Sequence, residues 1–203
     1  VVVWATLDKS AGRAAIKSFV VPARTPGMKL VALEKKLGIR ASDTATLVFE
    51  ECRIPKENLL GSPGHGFINF LKTRDAGRIG IAALSLGIAE GAYEEALRYA
   101  GVRKQFGKAI GSFQGIHFQL ADMALEIEAG THLLYHAAWL KQNGKPFKKE
   151  AAMAKLYCSE LAMRATTKAI SSSRRWAWNG SATARSATFS VTNRSFFFQP
   201  SRR

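Results

Sequence analysis

Apolar positions change their period near residue 60. Before it, β-branched and apolar runs at residues 1–7 and 15–21 are set off by Pro22 and Pro26-Gly27, a pattern that predicts short strands joined by turns. Residues 44–49 alternate, with Ala45, Leu47 and Phe49 on one face and Thr46 and Val48 on the other, as a strand does. Pro55 and the glycine-rich loop at 61–66 close this part. From Phe67 to Gly144 the period becomes helical. Phe113, Ile116, Leu120, Met123, Ile127, Thr131, Leu134 and Ala138 step by three and four and predict one buried stripe. Ala154, Cys158, Leu161, Ala165 and Ala169 do the same further on. Helices are expected over 64–102, 112–142 and 147–170. The first break falls in Val102-Arg-Lys-Gln-Phe-Gly107, with Gly107 as terminator; Asn143-Gly144 supplies the second. Three long helices joined by short turns make most of an antiparallel bundle.

Small residues at Gly80, Ala83, Gly87 and Gly91 recur along the first helix. Each helical glycine costs roughly 1 kcal/mol relative to alanine, so another backbone or a flat ligand is expected close to that side. Residues from 171 onward keep neither period. They hold eight serines, six arginines and no acid, with Trp176 and Trp178 among them. Three segments follow: a β-part at 1–60, a helical part at 61–170 and an aberrant tail at 171–203, expected to be disordered.

A length of 203 residues with 47% apolar content supports a real core. No run of about 18 apolar residues is present, so no membrane span is expected. The start lacks a basic leader and enters as if in mid-strand, so an upstream portion is expected. The two cysteines, Cys52 and Cys158, form no paired motif and read as reduced, buried thiols. A net charge of +15 would suit nucleic acid. The excess is +4 over residues 1–60 (10 cations, 6 acids), +5 over 61–170 (14 and 9) and +6 over 171–203 (6 and none). The body is only moderately basic, which suits a small anionic ligand equally well, and no nucleic-acid partner is expected.

Several constellations admit a chemical and a plain reading. The 61–66 loop can cradle a phosphate or simply connect; it lacks the lysine of a P-loop. Glu128, His132 and His136 share a helix face and are open to zinc, but no fourth ligand accompanies them; a solvated or subunit-facing surface is the commoner meaning, and no metal site is assigned. Asp75 and Arg78, three apart, form an intrahelical ion pair or offer an acceptor and a cation to a ligand. Arg103 to Phe106 fits nucleic acid or a helix-end cation beside a core aromatic.

The segment KLGIRASDTATLVFEECRIPKENLLG at 36–61 resembles the end of the central β-domain of acyl-CoA dehydrogenases. DAGRIGIAALSLGIAEGA, RKQFGKAI, FQGIHFQLADMALEIEA and KPFKKEAAMAKLYCSELAMRATTKAI follow in the order of that family's C-terminal helical domain, most like its short-chain (butyryl) type. The similarity covers residues 2–170. It implies an α+β fold, a partial antiparallel β-domain followed by an antiparallel helical bundle. It implies FAD as cofactor, oxidation of a fatty acyl-CoA to a trans-2-enoyl-CoA, and electron-transferring flavoprotein as partner. Asp75 and Arg78 match an Asp-x-x-Arg that contacts the CoA portion of the substrate, with Phe67 and Leu71 along the same channel. Arg103 matches an arginine reaching the FAD pyrophosphate of a neighbouring subunit, with Phe106 beside it and Gln114 in the same contact. A homo-oligomer follows, a tetramer in the family, in the cytoplasm of a bacterium or in the mitochondrial matrix.

The departures are specific. The family's catalytic glutamate stands in a Tyr-Glu-Gly context that this sequence lacks, or on the first helix at the position of Gly77, so no catalytic residue is assigned. The glycine-rich FAD segment expected after Ile170 is missing. A frame-shifted C-terminus explains both: one codon choice for residues 185–193, read one nucleotide back, gives Ala-Glu-Arg-His-Phe-Leu-Arg-Asp, close to a family run. The chain then reads as a fragment of an oxidoreductase, or alternatively as a non-catalytic helical module that assembles or binds CoA.

Overall fold

A computed structural model of the chain describes residues 1–62 and 64–172. The expectation of a disordered, frame-shifted tail lies outside these residues apart from Ser171 and Ser172, which continue the last helix. The described chain forms two compact units. One comprises Val1–Lys35 and Ala41–Ala76; the other comprises Lys36–Arg40 and the chain from Gly77 onward. The architecture is the expected α+β one: small antiparallel sheets, then three long helices.

In the first unit β1 (Val2–Thr6) pairs antiparallel with β2 (Ile16–Val20), Val3 opposite Phe19 and Trp4 opposite Ser18. The Leu60 amide donates to the Ser18 carbonyl at 2.8 Å, which ties the later chain to β2. A second pair, β3 (Met28–Leu33) with β4 (Ala45–Phe49), follows. The β3 strand escaped the sequence reading for a physical reason. Its register shifts between Leu30 and Ala32, and such a bulge destroys the alternation that marks a strand. Leu30, Val31 and Leu33 are exposed, so β3 leaves apolar side chains open to solvent on both of its faces.

The helices are α1 (Gly66–Val102), α2 (Gln114–Gln142) and α3 (Lys148–Ser172). In the second unit Ala82, Leu86 and Ala89 of α1 share a core with Met123, Leu134 and Ala137 of α2 and Ala154, Cys158, Leu161 and Ala165 of α3. Small side chains on α1 and α3 make up much of this core. Gly130 marks the tightest point: a Cβ there would stand 3.1 Å from Leu161 and 3.3 Å from Leu86. The Cys158 thiol lies 3.7 Å from the Gly130 carbonyl, and burial pushes its pKa up to about 11. The expected α2 stripe lies inward, with Ala137 more deeply buried than Ala138, and the four core residues expected first on α3 are all buried.

One expectation needs correction. Gly107 does not terminate α1, which ends five residues earlier; it is the second residue of a hairpin turn between β5 (Lys104–Gln105) and β6 (Lys108–Ala109). The small-residue stripe of α1 meets nothing in the described chain: a Cβ at Gly80, Gly87 or Gly91 has no atom within 4 Å. These positions lie opposite Ala82, Leu86 and Ala89, half a turn round the helix from the core.

Candidate functional site

The hairpin after α1 is built by its turn and by tethers at both ends. Phe106 and Gly107 both have positive φ, 49° and 80°, the combination of a type I′ turn. Glycine takes that conformation freely, whereas a non-glycine residue pays about 1–2 kcal/mol. The Arg103 amide donates to Tyr99, and the Ile110 amide returns to the Arg103 carbonyl at 2.8 Å. The Ser112 hydroxyl donates to Ala109 at 2.7 Å, and the Phe113 amide to Ile110. The Phe113 carbonyl in turn accepts from Ile116 and His117, so α2 opens with Gln114. Arg103 and Gln114 are thus fixed at the two ends of one tethered segment.

The ring of Phe106 is 93% exposed and meets Phe113 edge-on, 6.2 Å between centroids. The Lys108 ammonium lies 4.4 Å from the centre of the Phe113 ring. Among the described residues no acid pairs with Arg103 or Lys108. A flat exposed ring beside uncompensated cations, close to the positive end of the α2 dipole, can receive an anion joined to an aromatic group. Backbone strain at an exposed aromatic is retained where the surroundings enforce it, and it points to function.

The other four candidates lie on α1. In the first unit Phe67, Leu71 and Asp75 follow one another at four-residue spacing and are each partly buried. The Arg13 guanidinium stacks 5.1 Å from the Phe67 ring centre, a partner that the sequence did not reveal. In the second unit Arg78 lines a recess of about 530 Å³ with Pro146, Lys148, Lys149, Glu150 and Ala152. Burial depresses the Lys155 pKa; Glu160 opposes the shift and the nearby charge of Arg78 adds to it. Arg78 therefore sits among three lysines contributed by α3. The run Lys148-Lys149 was visible in the sequence, but its meeting with a residue seventy positions earlier was not.

The histidine face resolves into an exposed pair, His132 Nε2 to Glu128 at 3.1 Å. Among the described residues no three His, Cys, Asp or Glu side chains converge as a metal site. No described helix is long and apolar enough to cross a membrane.

Comparison with known proteins bears on the same residues. The family model for the acyl-CoA dehydrogenase C-terminal domain matches residues 64–172, which takes in all seven candidates. The mitochondrial short-chain specific acyl-CoA dehydrogenase of Mus musculus is 53% identical over 169 residues, 83% of this chain and 41% of the relative. The butyryl-CoA dehydrogenase structure from Megasphaera elsdenii superposes with a TM-score of 0.90 at 43% identity, covering 95% of this chain and 51% of that one. A structure described as the FAD complex of PigA superposes at 0.85 with 27% identity, over 97% of this chain and 51% of its own. The chain thus spans about half the length of its relatives, and its similarity to them runs through strands and helices alike. With the family's helical domain matched from the loop before α1 to the end of the described α3, the chain belongs to the acyl-CoA dehydrogenase family.

Proposed function

We propose that this chain is part of an FAD-dependent enzyme that oxidises a short-chain fatty acyl-CoA to the trans-2-enoyl-CoA and passes the electrons to an electron-transferring flavoprotein. The observation that carries the reading is the tethered hairpin. It presents Arg103 and the strained, exposed Phe106 beside Gln114 at the start of α2. This donor set fits the pyrophosphate end of FAD: a guanidinium pairs two phosphate oxygens at once, the Gln114 amide adds a donor, and the Phe106 ring offers a face to a flat group. FAD held there would supply the hydride acceptor that oxidation of the acyl chain needs. Arg78, with the lysines around it, meets the anionic CoA portion, Asp75 accepts from it, and Phe67 and Leu71 line the path of its apolar part. No described residue is assigned the removal of the α-proton.

Assembly through the helical domain, as a homotetramer, fits the apolar residues that α2 leaves outside: Phe118 (60% exposed), Leu125 (70%) and Tyr135 (68%). The open small-residue face of α1 would let a second copy approach closely. The division into a β-part at 1–60 and a helical part from 61 is proposed as the functional one, the second carrying every assigned contact.

Two substitutions separate the roles. In the flavin-loaded enzyme that contains this chain, Arg103→Ala is expected to weaken FAD retention by about tenfold or more, since a hydrogen bond to a charged group contributes about 1.5–3 kcal/mol. Arg78→Ala is expected to raise the KM for butyryl-CoA with FAD still bound. Loss of the same ligand in both variants would refute the assignment. One observation favours a second reading, a non-catalytic module: position 77, where some members place the base, is glycine and faces open space. Purified protein that gains no flavin spectrum with added FAD would favour that module.

A further inference from the structure

Pairing in the β5–β6 hairpin places Gln105 opposite Lys108 and Lys104 opposite Ala109. Residues opposite one another project from the same face, and alternate residues share it. Gln105 and Lys108 therefore belong to one face, and Lys104 to the other, with Arg103 at the open end of the hairpin. The Arg103–Ile110 hydrogen bond continues that pairing one step toward α1. The Lys108 ammonium rests 4.4 Å from the centre of the Phe113 ring. That ring is itself braced edge-on by Phe106 and immediately precedes Gln114. A cation over an aromatic face keeps its remaining N–H groups directed away from the ring. No described acid consumes its charge.

We propose that Lys108 is a second phosphate-reading cation of this hairpin, positioned by Phe113 to share with Arg103 the pyrophosphate of a dinucleotide. The inference rests on the cofactor reading above and extends it to a residue outside that contact set. Two cations of one tethered hairpin divide the work: the guanidinium of Arg103 fixes the orientation of one phosphate, and the ammonium of Lys108, a compact charge on a flexible stem, follows the other.

The test uses the 203-residue chain and ADP, the adenine and pyrophosphate half of the cofactor, with adenosine as the probe that lacks phosphate. Binding is followed by amide NMR shifts over residues 103–114. Lys108→Ala is expected to weaken ADP binding about tenfold, Lys108→Arg to restore most of it, and Lys104→Ala, on the opposite face, to change it less than twofold. Adenosine shifts are expected to be equal in all variants. If Arg103→Ala weakens ADP binding and Lys108→Ala does not, the role of Lys108 is refuted while the cofactor reading stands. If the unmodified chain shows no ADP-dependent shift, or neither variant alters it, both fall.

Discussion

Glu126 sits where α2 faces α3 and accepts from Arg164 Nε at 2.8 Å and Lys168 Nζ at 3.3 Å. Partial burial raises its pKa, but the hydrogen bonds and charges of Arg164 and Lys168 outweigh that and hold the carboxyl below its ordinary value. The sign follows from linkage. A depressed carboxylate contributes stability that is complete above its unfolded pKa and is lost as pH falls through the folded value. Glu126→Gln is therefore expected to lower stability to urea at pH 7 by about 1 kcal/mol, a modest figure because solvent screens the partly exposed cations. The gap to the unmodified chain should narrow as pH falls through the depressed value of the folded Glu126 carboxyl. A gap that does not change with pH across the acid range would show that the carboxylate charge is not what joins the helices.

Along the helices, glycine carries two opposite meanings. At Gly130 an added Cβ would meet Leu161, Leu86 and Cys158 within 3.5 Å. Alanine there gains about 1 kcal/mol of helix propensity and loses a similar amount by crowding, so Gly130→Ala should change stability little. Gly130→Leu overfills the junction of three helices and should cost about 1–3 kcal/mol. Gly87 faces open space, so in this chain propensity alone decides: Gly87→Ala should gain up to about 1 kcal/mol. Thermal unfolding of the three variants checks the order. If Gly87→Ala destabilised the isolated chain, the face opposite the α1 core would not be open.

For the molecule as a whole, apolar surface is left uncovered on elements whose other faces are fully buried. On α2, Leu120, Met123 and Leu134 face inward while Phe118, Leu125 and Tyr135 stand 60–70% exposed. Apolar patches of this kind mark contact surfaces. If a second copy covers them, Leu125→Glu places a charge in that contact. It is expected to shift the protein to a smaller species in sedimentation while helix content by circular dichroism stays unchanged. An unaltered sedimentation coefficient would exclude this face from assembly.

Local order was legible in the residues themselves. Three-and-four spacing of apolar residues marked α2 and α3, and the proline-free run between the 61–66 loop and the Val102–Gly107 break bounded α1, so all three helices were placed to within about two residues at each end. Motifs in family order are what put forward Arg103, Phe106, Gln114, Phe67, Leu71, Asp75 and Arg78 as candidates, since residue identity and spacing are what a motif records. The rest required coordinates. The β3 strand was hidden because a bulge broke its alternation. The Phe106-Gly107 turn read as a helix stop because glycine serves both. The small-residue stripe of α1 gave no sign of facing outward, since glycine fits a close contact and an open surface equally. Lys148 and Lys149 beside Arg78, and Lys108 over Phe113, depend on side chains brought together by packing. Sequence fixes which groups a chain owns and the period on which they recur; which of them meet across helices or strands is decided only when the apolar faces close.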